Sequence, residues 1–255
     1  MLQYNYKKGE KIMSNPVFSR QAMEGNSTVL SGEPMTINGA IGKTFILFLC
    51  LLSTSVYEFM LYAQGLTDKA SGLLMIGFVA SIISFIVIMF ARKTIKYMAP
   101  VYALSEGLII GGISAIFESM YNGIVVQAVG GTFLAFLTML VLYKAGIIKC
   151  SEKFRSVLMI AMFSILGIYL VQFIGSFFHM SIPGLFTSGP VGIAFSAVVC
   201  VIAALNFIID FKVIEDGANN FADKSFEWYG AFGLIVTFVW LYIEILNLLA
   251  KLRDR

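Results

Sequence analysis

Charge is scarce in this chain. Asp, Glu, Lys and Arg make up 13% of its 255 residues and hydrophobic residues 58%, where average soluble domains carry roughly 25% and 45–50%. The mean hydropathy is +0.85. A soluble enzyme is not expected, because so few charges could not clothe so apolar a core in water. The net charge of +3 is small and scattered, which argues against nucleic-acid binding. The apolar content confines disorder to the ends. Histidine is nearly absent. His179 alone leaves almost nothing from which to build a Ser-His-Asp or Cys-His arrangement, and its place at the end of an apolar run reads as interfacial. Cys50, Cys150 and Cys200 show no CxxC spacing, so neither a disulfide framework nor a zinc site is expected, and they read as small apolar filler. HExxH, GxxxxGK[ST] and GxGxxG are missing as well. No cofactor is implied and no enzymatic activity is expected.

What the chain has in abundance is long apolar runs. Seven are long enough to cross a bilayer, which takes about 20 residues each: 44–63, 72–91, 98–117, 123–143, 156–178, 190–211 and 228–250. Backbone in hydrocarbon must satisfy its own hydrogen bonds, so each run is predicted to be a helix. The fold class is therefore an all-α polytopic membrane protein, a seven-helix bundle over residues 44–255 behind a polar segment, 1–43. No apolar stretch near Met1 resembles a cleavable signal, so the first span is expected to serve as its own. No internal repeat is visible, so the inverted-repeat signature of many transporters is not seen.

Basic residues set the orientation. With the N-terminus in the cytoplasm, fourteen of the 18 Lys and Arg residues fall on the inner side, among them Lys7, Lys8, Lys11, Arg20, Lys43 and Lys144. Lys69, Lys251, Arg253 and Arg255 fall outside. That predicts a multi-pass protein of the cell membrane with a cytoplasmic N-terminus. The basic tail would prefer the inner side, and a re-entrant last segment would satisfy it. Seven full spans is the first choice, because 228–250 is long and unbroken by proline.

Read this way, every basic residue lies outside the runs, whereas Glu58, Glu106, Asp210 and Glu244 lie inside them. A charge at mid-membrane costs about 2.5–3.5 kcal/mol on insertion scales, so such residues face a bundle interior or a wet cavity. Without a basic partner they are protonated, share a proton or bind a cation. All three outcomes point to protons or cations as the thing sensed or moved. Glu58, five residues from the end of its run, is expected to snorkel to the outer interface. Glu106 reads equally as a neutral hydrogen-bond donor between helices and as a functional acid. Asp210 reads as a helix-end charge or a functional acid, and Glu244 as functional. Gly107 and Gly111 form a GxxxG pattern beside Glu106, which predicts a close helix approach. Gly130 and Gly131 suggest another.

The sixth and seventh runs carry a resemblance. Asp210-Phe211-Lys212-Val213-Ile214-Glu215-Asp216-Gly217 resembles the Asp-Phe element that ends the sixth helix of the Bax inhibitor/YccA family. Glu227-Trp228-Tyr229-Gly230-Ala231-Phe232-Gly233-Leu234, with Trp240-Leu241-Tyr242-Ile243-Glu244-Ile245-Leu246-Asn247, is similar to the last helix of a bacterial branch of it. Ser14-Asn15-Pro16-Val17-Phe18 and Ser105-Glu106-Gly107-Leu108 are shorter matches. The resemblance implies a seven-helix bundle with the last helix surrounded by the others. It also implies a pH-sensitive calcium leak in which carboxylates of the sixth and seventh helices sense protons. By position these are Asp210 and Glu244, which would also be the transient calcium ligands, with Glu106 a possible third acid. Glu244 stands where many members have Asp, and Arg92 is the nearest basic residue that could latch the pair.

Two carboxylates held close cannot both ionise cheaply. The resulting expectation is that a shared proton holds the path shut, and its loss opens a cation site. Geometry resists a direct pair: Glu244 is 16 residues past Trp228, about 24 Å along a helix, whereas Asp210 ends its run. Glu106, about 12 Å above Met98 by the same rise, matches Asp210 better in depth. Two further readings stay open: a proton-coupled transporter of a small solute, and a non-transporting partner of a membrane protein such as a protease. The other partners expected are the lipid bilayer and the ion itself, calcium or proton.

Overall fold

The computed structural model describes residues 33–178, 182 and 184–254. His179, the Ser14–Phe18 match and the basic residues Lys7, Lys8, Lys11 and Arg20 lie outside them. Among the described residues seven helices are long and apolar enough to cross a membrane. They are α1 (Ile37–Ala63), α2 (Thr67–Phe90), α3 (Ile95–Met120), α4 (Ile124–Lys144), α5 (Glu152–Phe177), α6 (Pro190–Asn219) and α7 (Phe226–Arg253). A short 3-10 turn, Arg92–Thr94, leads into α3.

The helix ends follow local chemistry more than hydropathy. Thr36 caps α1 by accepting from the Gly39 N–H (2.9 Å), so α1 begins seven residues before its apolar run. Ser151 caps α5 in the same way, through the Phe154 N–H (3.2 Å). Between α3 and α4 the chain turns through Gly123 at φ 78°, a left-handed value that favours glycine. The Glu118 carboxylate accepts the Gly123 and Val125 N–H groups at 2.5 and 3.1 Å there. At the far end of α6, Lys212 pairs with Glu215 (3.2 Å) and Asp216 (2.9 Å). This i+3, i+4 pairing lets the helix run to Asn219, past the end of the apolar run at Phe211.

The last helix is central. In its apolar stretch 61% is buried, against 11% for α5, and α7 packs against α1, α3, α4 and α6. Phe136 of α4, Phe207 of α6 and Phe238 of α7 form one aromatic knot, with ring centroids 4.6 to 5.1 Å apart. The glycine pair of α3 does what GxxxG predicts. A Cβ on Gly107 would lie 2.3 Å from the Leu51 carbonyl oxygen, and one on Gly111 2.4 Å from that of Ser55. That contact joins α3 to α1. The expectation for Gly130 and Gly131 fails: a Cβ on Gly130 meets nothing, and one on Gly131 meets Ile245 at an ordinary 3.5 Å.

At the end of the bundle where the basic residues gather, the chain before α1 straps the loop before α7. The Met35 N–H donates to the Ala222 carbonyl (2.8 Å), and Lys224 pairs with Glu33. The Ser225 backbone N–H, 2.8 Å from Asp223, holds that carboxyl below the usual carboxylate range. Beneath the strap, buried Glu227 accepts from Lys43 and from the Thr36 N–H (2.8 Å). A Cβ on Gly39 would collide with the Glu227 carboxylate.

α7 is one unbroken helix through Arg253, so its end does not fold back as the re-entrant alternative required. Lys251 and Arg253 of the basic tail find oxygen acceptors instead. Lys251 donates to Ser196 (2.8 Å) and to the Gly192 carbonyl (3.2 Å), and Arg253 to that of Asn122 (2.8 Å). These contacts satisfy hydrogen-bond donors of Lys251 and Arg253 locally.

Candidate functional site

Polar side chains on α6 and α7 define the site. Asp210 lies nine residues before the end of α6, about 14 Å along its axis, and is 5% exposed. Its carboxylate accepts from the Thr237 hydroxyl of α7 at 2.6 Å. Glu244 is 3% exposed. It accepts from the Tyr169 hydroxyl of α5 (2.7 Å) and the Trp240 indole N–H (3.2 Å). Thr237, Trp240 and Glu244 follow one another at i, i+3 and i+7, a spacing that places them on one face of α7.

Seven residues separate Thr237 from Glu244, about 10 Å along the helix. Asp210 is level with Thr237, so the two acids sit two turns apart. Among the described residues they share no hydrogen bond, and neither has an ion-pair partner. The doubt raised by the run boundaries therefore persists in three dimensions, although α6 does continue well past Asp210.

Both acids nonetheless line one cavity of about 520 Å³ between α5, α6 and α7. Its walls are chiefly Met, Phe, Ile, Leu and Val, interrupted by Asn206, Asp210, Thr237, Tyr169 and Glu244, with Phe85 of α2 on the far side. Arg155 lines it too. Fourteen residues separate Arg155 from Tyr169 on α5, so the cavity spans about 21 Å of that helix.

The other candidate residues fall elsewhere. Glu106 is half-buried on α3 beside Tyr102 and the Ser81 side chain of α2, and it does not line the cavity. Its link to the cavity is indirect, since the Tyr102 ring packs edge-on against Phe232 of the cavity wall, with centroids 4.9 Å apart. Glu58 does not snorkel. It is fully buried between α1 and α3, both oxygens lacking a hydrogen-bond partner. Arg92 sits in the 3-10 turn, with Tyr229 in reach of its charge, and does not line the cavity. The basic residue that does is Arg155, which the run boundaries place outside the fifth span. Thr237 and Tyr169 also escaped sequence reasoning. Thr237 had a signal, its heptad spacing before Glu244. Tyr169 had none, being one of 11 tyrosines in the chain.

Among the described residues, no three His, Cys, Asp or Glu side chains gather where one metal could be held.

Fold and site together define a polytopic membrane protein whose central helix shares a cavity and its acids with the helix before it. The family profile described as Bax inhibitor 1 like matches residues 15–254, and the chain belongs to that family. No curated protein matches the chain.

Proposed function

We propose that this protein is a pH-sensitive cation leak, with calcium the ion moved, gated by Asp210 and Glu244 between the sixth and seventh helices. The observation that carries the reading is two buried carboxylates lining one cavity against the central helix, neither with an ion-pair partner among the described residues. Protonated, each acid is neutral and stays bonded to its neighbouring hydroxyl, and the cavity is closed to ions. Loss of the protons leaves two negative charges in apolar walls, which a cation neutralises as it passes. Calcium takes six to eight oxygen ligands. Asp210, Thr237, Asn206, Tyr169 and Glu244 supply side-chain oxygens along the way, and water completes the shell. The acids act as two stations in series, in place of one pair sharing a proton.

The test is calcium flux against pH with purified protein in liposomes. Flux is expected to rise with pH. Asp210→Asn and Glu244→Gln should each flatten the profile, and their effects should add on a logarithmic scale, as for sites about 10 Å apart without a shared partner. A double variant no worse than either single one would restore a directly coupled pair. A flux without pH dependence in the unmodified protein would sink the proposal. Proton flux that needs an added solute would point to a transporter instead, and no flux of either kind to a non-transporting partner of another membrane protein.

A further inference from the structure

The cavity holds a charge that the leak reading does not use. Arg155 is 6% exposed, and its Nε is buried without a hydrogen-bond partner. Among the described residues it has no ion pair with an acid. Its side chain bonds the Cys150 thiol, which burial pushes up despite the guanidinium, with the charges of Asp216 and Glu152 also acting on it. The thiol offers no negative charge, Asp216 pairs with Lys212, and Glu152 is exposed. A buried guanidinium is costly unless something anionic completes it. Lys149 and Lys153, both exposed, flank it at the end of the bundle where basic residues concentrate.

The space beside Arg155 is shaped for a chain. From Arg155 the cavity rises about 21 Å along α5 between mostly apolar walls. It is open at the side: Phe163 and Leu166 on its rim are 55% and 52% exposed, facing what would be lipid. α5 packs chiefly on α6, which leaves a cleft between α5 and α2.

We propose that this cleft binds an anionic phospholipid of the leaflet at the basic end, its phosphate on Arg155 and one acyl chain lying along α5 toward Trp240. Basic pockets between membrane helices on the cytoplasmic side hold anionic headgroups by the same charge complementarity, and Arg offers a planar fork suited to phosphate. The acyl chain and a hydrated cation would use the same cavity, so a lipid bound there would hold the leak shut, and its binding is tested without reference to ion flux.

Trp240 lines the cavity, and Trp228 is the other of two tryptophans. In a Trp228→Phe background, Trp240 fluorescence therefore reports the acyl chain. The full-length protein is placed in vesicles of zwitterionic phosphatidylcholine doped with either phosphatidylglycerol or phosphatidylcholine carrying bromine at mid-chain. Brominated phosphatidylglycerol should quench more strongly at equal dose. Arg155→Gln should remove that preference, weakening phosphatidylglycerol binding about fivefold. Arg155→Lys should keep part of it, and Lys153→Gln most of it. Excess inorganic phosphate should leave the quenching in place. Should the tryptophan variant misfold, native mass spectrometry of the unmodified protein with the same two lipids gives the same comparison. Equal quenching by both lipids would overturn the proposal, as would an equal loss in Lys153→Gln and Arg155→Gln. Release by free phosphate would assign the site to a soluble anion, and no quenching by any lipid would mean that protein fills the cleft.

Discussion

Glu58 carries an ionisable group where nothing answers it: fully buried between α1 and α3, with both oxygens unpartnered. A polar group left unsatisfied in the interior costs roughly 1–3 kcal/mol. Glu58→Leu keeps similar bulk and removes that cost, so its thermal midpoint in detergent should be equal to or higher than that of the unmodified protein. A clear fall would reveal a bound partner for the carboxyl. The identities of the four acids were legible in sequence because charges stand out in apolar runs. Their surroundings were less so. Asp210 was recognisable, but its neighbour Thr237 is neutral and common, and only the seven-residue step to Glu244 marks it. Glu58 was misread because distance from the end of a run says nothing about which face of the helix a side chain occupies. That face points at Gly111, whose missing side chain lets α1 come close.

Elements were legible in number and type, but their ends were not. Lys43, Arg155 and Lys212 were each read as lying outside an apolar run, yet each lies within a helix. Lys43 is held by Glu227 and Lys212 by Glu215 and Asp216. Arg155 was recoverable from Ser151-Glu152, a cap followed by an acid in the first turn. The Lys43–Glu227 contact ties the start of α1 to the start of α7, where the helix dipole also favours an acid. Breaking a buried pair from one side leaves the other charge uncompensated. Lys43→Ala should therefore cost about 3 kcal/mol, toward the low end of such losses because Lys43 is partly exposed. Lys43→Met with Glu227→Gln should recover most of it. Chemical denaturation of all three in detergent checks this, and a double variant as weak as Lys43→Ala would show that the lost contact is packing and not charge.

For the molecule as a whole, seven crossings place the segment before α1 and the end of α7 on opposite faces of the bilayer, and the basic residues gather at the α1 end. Reporter fusions should find the N-terminal side in the cytoplasm and the α7 end across the membrane. Two reporters on one side would contradict an unbroken α7. The central place of the seventh helix was anticipated through the resemblance, since composition gives spans but not their arrangement. What no run length could supply was the loose fit of α5, because an apolar helix looks alike whether it faces protein or lipid.

The central position of α7 also fixes an order of events during synthesis. Translation delivers α7 after the six helices that precede it, yet it fills the middle of the bundle. Until it arrives, Asp210 lacks Thr237, Ser114 lacks the Tyr242 hydroxyl 2.6 Å away, and the faces of α1, α3 and α4 that meet α7 lack their partner. The contacts at the centre of the bundle can therefore form only after the rest of the bundle has been made.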